Sequence, residues 1–172
     1  MLAGIGWTLM AVDPDVAELG STYAENAAMK AEAAREALGL PAVGDDSGVE
    51  VEVLKGYPGI HSARIGPTQK DRTQVLLDRL AGYPRPWLAR FTCTIALAAP
   101  ARPTSFFEGE CRGEIIPEWR GVAGFGYDPV FLVPEAGRTF GEMSPEEKAR
   151  YSHRARAVRA MLASGALERV SG

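Results

Sequence analysis

Gly44-Asp45-Asp46-Ser47-Gly48 sets two neighbouring carboxylates and a hydroxyl between glycines, a combination of residue types that can do chemistry. In an extended chain adjacent side chains point to opposite faces. Asp45 and Asp46 therefore do not share one proton: one faces a site and the other supports the turn. A single carboxylate with an ordinary pKa of about 3.9 is ionised at neutral pH, and it can bind Mg²⁺ or take a proton from water. Gly, Asp and Ser are equally the residues of a plain turn, because they bond locally to the backbone. By local rules alone the stretch reads as a turn.

Two further stretches carry chemistry. In Gly121–Phe131, GVAGFGYDPVF, the glycines let the backbone approach a ligand closely, and Phe125 and Tyr127 offer faces on which a planar base can stack. A core aromatic cluster beside a loop is the competing reading. Lys148, Arg150, His153, Arg154, Arg156 and Arg159 gather positive charge near helix starts expected at Ser144 and Ser152. Helix-end amides with Lys and Arg make a phosphate site, whereas a solvated helix face balanced by Glu146 and Glu147 explains the same residues. Lys30 is either a solvated helix lysine or a second phosphate contact, and spacing does not decide. Taken together, a carboxylate site, a glycine–aromatic base clamp and a basic phosphate cluster describe one ligand, a nucleotide with Mg²⁺.

The elements that must position these residues follow from periodicity and caps. Residues 1–12, MLAGIGWTLMAV, read as the end of a helix followed by a buried strand, Thr8–Val12. Thr22-Tyr23-Ala24-Glu25 has capping-box spacing and opens an alanine-rich helix to Leu38, with Ala27, Ala31, Ala34 and Leu38 as its buried stripe. Asn26 and Lys30 share a face at the stripe's edge. Val49–Val53 alternates as a half-exposed strand, and KGYPG is a turn. Thr68 to Leu80 reads as an amphipathic helix; Leu88–Ala98, Phe106–Ile116 and Val130–Val133 read as strands. Ser144-Pro145-Glu146-Glu147 opens another helix, and Ser152 caps one running to about Gly165. No repeat, linker or low-complexity segment interrupts this pattern, so one α/β domain is expected over residues 1–172.

The bulk properties narrow the function. A chain of 172 residues that is 46% hydrophobic and 24% charged has the composition of a globular protein. Its formal net charge of −3 argues against a nucleic-acid polymer or an anionic membrane as partner. Cys93 and Cys111, with His61 and His153, are too few and too dispersed for a zinc site or a disulfide scaffold. A hairpin centred near Arg102 would make the two thiols cross-strand neighbours; two reduced thiols in a cytosolic sheet is the reading preferred. The apolar start is shorter than the roughly 20 residues of a membrane span and lacks a basic leader region. A cytoplasmic protein is expected.

The motifs also resemble a known family. STYAENAAMKA, GDDSGVEV, LKGYPGIHSAR, GFGYDPVF and EKARYSHRARA look like the inosine triphosphate pyrophosphatase family, in order over nearly the whole chain. The resemblance implies an elongated mixed sheet flanked by helices in two lobes with a cleft, and a homodimer. It implies a Mg²⁺-dependent hydrolase that converts the non-standard purine nucleotides ITP, dITP and XTP to the monophosphate and pyrophosphate. Carried over by motif, Asp46 is the general base and a metal ligand, and Glu18 falls near the family's other metal-binding acid. Lys30 and Ser47 contact the nucleotide. Phe125, Gly126, Tyr127 and Asp128 hold the base, while Lys148, His153 and Arg154 complete the pocket. The alternatives are a pyrophosphatase for another nucleotide, and a non-catalytic nucleotide-binding protein.

Two departures bear on this. Family members usually begin with a strand and a loop carrying Thr-x-x-Asn-x-x-Lys, which binds the triphosphate, and the sequence here starts inside what should be the first helix. Either the start is set too late and the loop is encoded upstream, which is the expectation, or the protein is a shortened form with an incomplete triphosphate site. Ala155 stands where glycine is typical.

Overall fold

The computed structural model describes residues 8–12 and 16–170. The fold is α/β. Among the described residues one sheet of five strands runs in the order β1 (Ala42–Val51), β2 (Trp87–Ala98), β3 (Ser105–Ile115), β4 (Phe131–Val133) and β5 (Arg138–Thr139). Strands β3 and β4 pair antiparallel with Ile115 opposite Phe131, and β4 and β5 pair antiparallel with Val133 opposite Arg138. The helices are α1 (Tyr23–Leu38), α2 (Gln69–Leu80), α3 (Pro145–Tyr151), α4 (His153–Ala163) and α5 (Ala166–Val170). The chain divides into two compact units, residues 1–46, 93–109 and 154–172, and residues 47–92 and 110–153.

In the first unit β2 is buried on both faces, as its unbroken apolar run Ile95-Ala96-Leu97-Ala98 requires. Ala96 and Ala98 pack against Ala27 and Ala31 of α1. Cys93, Ile95 and Leu97 alternate to the other face and pack on Val158 and Met161 of α4 and Leu167 of α5. Small residues on one side and larger ones on the other set how closely each helix approaches. In the second unit the same strand alternates: Trp87, Ala89 and Phe91 are buried, Leu88 and Arg90 exposed. That inner face joins Val49, Val51, Leu76, Leu80, Ile115, Phe131 and Phe140 in a single core.

Several local expectations change. GDDSG is not a turn; all five residues are extended within β1. Gly44 serves packing here, since a Cβ would lie 2.6 Å from the Ala27 carbonyl oxygen and 2.7 Å from the Ala31 nitrogen. Only glycine lets α1 and β1 approach so closely. Thr8–Val12 forms no strand, and Leu9 and Met10 are 58% and 63% exposed. An apolar run becomes a strand only where a neighbour takes its backbone hydrogen bonds, and hydropathy does not supply that neighbour. The helix end read at residues 1–7 lies outside the described residues. Thr22 caps α1 through the Glu25 N–H, but the Glu25 carboxylate reaches one residue further back, to the N–H and hydroxyl of Ser21. Leu38, expected in the buried stripe, is exposed in the last turn of α1. Cys93 and Cys111 are both buried and form no disulfide with each other.

Candidate functional site

Pleating in β1 sends its two adjacent carboxylates to different partners, both within the first unit. Asp46 is 9% exposed and faces α1, where Asn26 and Lys30 stand one turn apart. The Asn26 amide donates to Asp46 Oδ2 at 3.1 Å. Asn26 is itself fixed, fully buried and accepting the Gly20 N–H at 2.8 Å. The Lys30 ammonium lies 3.4 Å from Asp46 Oδ1 and 2.8 Å from Glu18 Oε1, so it bridges two carboxylates. Burial pushes the Asp46 carboxyl above its ordinary pKa, opposed by the bond from Asn26 and the Lys30 charge. Asn26 was not among the expected site residues. Its place four before Lys30 on one helix face was the available signal.

Asp45 points the other way. Its Oδ2 accepts Arg154 Nε at 2.9 Å and Nη2 at 2.8 Å, and the Cys93 sulfur lies 3.9 Å from the same oxygen. Burial first, and Asp45 second, push the Cys93 thiol up to about 12. The first unit also contains a hollow of about 660 Å³ whose lining includes Glu18, Lys30 and Asp45 beside apolar Ala34, Leu38 and Val43. That volume is within the range of small-molecule sites.

The second unit holds the loop that reads as a base clamp. Gly124 has φ +80°, and a Cβ there would lie 2.0 Å from Asp128 Oδ2, so glycine is needed for the loop to close on that carboxylate. Asp128 is buried; Oδ2 accepts the Phe125 N–H at 2.7 Å and the Lys148 ammonium at 2.5 Å. The ammonium also stands 4.6 Å from the Phe125 ring centre and 5.2 Å from that of Phe140. Phe125 is 54% exposed and available for stacking. Tyr127 is not: it is buried, and its hydroxyl donates to the Ser62 carbonyl at 2.8 Å. Tyr127 anchors the loop to the core, a role that the alternative core reading anticipated. Gly126, between them, has φ +63° with open space around its Cα.

The remaining expected residues have these places. Ser47 is half-buried on β1. His153 is buried and stacks on Phe91 at 4.7 Å with the rings 8° apart. Of the six residues expected to gather on phosphate, Arg150, Arg156 and Arg159 are exposed, while Lys148 pairs with Asp128 and Arg154 with Asp45. Ala155 is fully buried in the first turn of α4.

An extended strand, a helix-held carboxylate and a glycine–aromatic loop with its own Asp–Lys pair are distributed along the chain in the order of the motifs. The profile of the Ham1 family matches residues 3–164. The chain belongs to the Ham1 family. It is 52% identical over 164 residues to the dITP/XTP pyrophosphatase of Gloeobacter violaceus, covering 94% of this chain and 84% of the relative. It is 49% identical over 171 residues to the dITP/XTP pyrophosphatase of Thermus thermophilus, covering 94% and 81%. Among solved structures, the Staphylococcus aureus Ham1 protein matches with a TM-score of 0.83 at 41% identity, over 90% of this chain and 81% of that one. The dITP/XTP pyrophosphatase of Mycobacterium abscessus matches with a TM-score of 0.71 at 38% identity, over 86% and 80%. The family resemblance read from the motifs is borne out.

Proposed function

We propose that this Ham1-family chain hydrolyses ITP, dITP and XTP to the monophosphate and pyrophosphate, with Asp46 as the general base. The observation that carries this reading is the setting of Asp46: a buried carboxylate on a strand, held by Asn26 and Lys30 with Glu18 beside it. The names of the relatives supply the substrate class. Asp46 takes a proton from water as the water oxygen attacks the α-phosphorus. The bond from that phosphorus to the bridging oxygen breaks, and pyrophosphate leaves with the electron pair. A carboxyl whose pKa is raised by burial is a stronger base than a free one, which suits this step. Lys30 balances phosphate charge.

Glu18 and Asp46 are the residues that would hold Mg²⁺. Among the described residues no group of three or more His, Cys, Asp and Glu side chains could hold a metal. The pair nevertheless fits, because Mg²⁺ is usually held by one or two carboxylates together with substrate phosphates, and a cation already sits between these two. When bound, Mg²⁺ supplies neutralisation of the charge developing on the phosphates.

The Asp128–Lys148 pair and the exposed Phe125 would take the base, Phe125 by stacking and the loop donors by bonding to the 6-keto oxygen. An adenine amino group would leave such donors unpaired, a mismatch able to discriminate by up to about 10⁴-fold. The test is kcat/KM for ITP and for ATP with Mg²⁺ present. A strong preference for ITP is expected. Equal values would move the assignment to a pyrophosphatase of other nucleotides, and turnover of neither would support a binding protein. A cytoplasmic homodimer, implied by the resemblance, belongs to the same proposal; no described helix is long and apolar enough to cross a membrane.

A further inference from the structure

The reaction set out above uses Asp46 and leaves Asp45 without a task. We propose that Asp45 is a positioning residue, holding the Arg154 guanidinium in one orientation for contact with the anionic substrate. The inference rests on the pyrophosphatase reading.

Three observations support it. First, the pleat that turns Asp46 toward α1 turns Asp45 away from it, so the position beside the base is occupied by a carboxylate that does not share its partners. Second, Arg154 presents two adjacent nitrogens, Nε at 2.9 Å and Nη2 at 2.8 Å, to the same oxygen of Asp45. A guanidinium is planar, so fixing two of its nitrogens fixes the plane and heading of the whole group. Its backbone is also fixed, because Arg154 lies in the first turn of α4. The Cys93 thiol, buried and 3.9 Å from that same oxygen, gives the Asp45 carboxylate a further contact in this orientation.

Third, the pair is badly placed to serve stability. Its side chains are 34% and 39% exposed, and ion pairs so exposed contribute little to folding. A lone carboxylate next to a triphosphate would repel it. Paired with Arg154, the same carboxylate leaves the pair neutral and converts its charge into orientation. Guanidinium groups recognise phosphate through directed donors, so orientation is what they need.

The test is a double-mutant cycle on ITP hydrolysis with Asp45→Ala, Arg154→Ala and the double variant, each compared by kcat/KM, by the Mg²⁺ activation constant and by melting temperature. Asp45→Asn serves as a second, nearly isosteric variant should the alanine fail to fold. Asp45→Ala is expected to lower kcat/KM by about 10²-fold, the effect of a misplaced group. The double variant should be no worse than Arg154→Ala alone, the Mg²⁺ activation constant should stay unchanged, and Asp45→Glu should recover part of the loss. Losses that multiply, a raised Mg²⁺ requirement, or a wild-type kcat/KM in Asp45→Ala would each overturn the positioning role. Absence of nucleotide hydrolysis by the wild-type protein would instead overturn the pyrophosphatase reading beneath it.

Discussion

Asp45 and Asp46 differ by one position and by everything around them. The rule that strand neighbours face apart was legible in the sequence and correctly divided the pair. Local turn propensity pointed the wrong way for the backbone, because Gly44 is present to admit α1 and not to bend the chain. Asn26 carried only the signal of its place four before Lys30, which does not single out a site residue, since a buried amide and a solvated one look alike in a helical stripe. Tyr127 was misjudged for a related reason: sequence places an aromatic in a loop but does not say which way it turns. Asp46→Asn follows from the geometry. Loss of the base should lower kcat about 10²- to 10⁴-fold. In metal-free protein the same variant should melt at or above the wild-type temperature, because a buried carboxylate pushed above its ordinary pKa is ionised at an energetic disadvantage in the fold. Calorimetry beside a pyrophosphate-release assay reads both, and near-normal release would remove Asp46 from its role.

At the scale of elements, the N-caps Thr22 and Ser144 were legible, although Glu25 does not close its box and the strand expected over Val49–Val53 ends at Val51. The two regimes of β2, alternating at Trp87–Phe91 and continuously apolar at Ile95–Ala98, are visible in the sequence as such. The turn Phe140–Glu142 was not, although it places Phe140 near Lys148. Its capping box closes through Glu142, whose carboxylate accepts the Thr139 N–H at 2.8 Å and lies 3.3 Å from Arg120. The Thr139 N–H, with help from the Arg120 charge, holds Glu142 below the ordinary carboxylate pKa. A depressed folded pKa contributes stability above the unfolded value, about 4.3 for Glu, and that contribution is lost as pH falls through the folded value. Glu142→Gln should therefore melt a few degrees below wild type at pH 7, and the gap should close once the pH is below the folded value. A gap that persists in acid would mean that the carboxylate's charge is not what the cap uses.

On the scale of the whole molecule, the order of five motifs along the chain identified the family, because motif order survives changes that blur any single element. The resemblance implied two lobes, but the seams of the two units were not legible in the residues themselves, since each unit is assembled from separated stretches and no linker marks the boundaries. The two cysteines fall on either side of that division, Cys93 in the first unit and Cys111 in the second, and both are buried. A thiol raised to about 12 is thiolate in only about one part in 10⁴ at pH 8, and a buried one is shielded from reagent as well. Each thiol therefore reports opening of its own unit. Native protein should give no reaction with a thiol reagent over minutes, and denatured protein should give two equivalents. Mass mapping of partly labelled protein under mild denaturant then separates two behaviours. Equal labelling of Cys93 and Cys111 at every denaturant concentration means that the units unfold together, as expected for units that share strands β1, β2 and β3. Labelling of one before the other would show that its unit opens independently, and the cooperative expectation would fail.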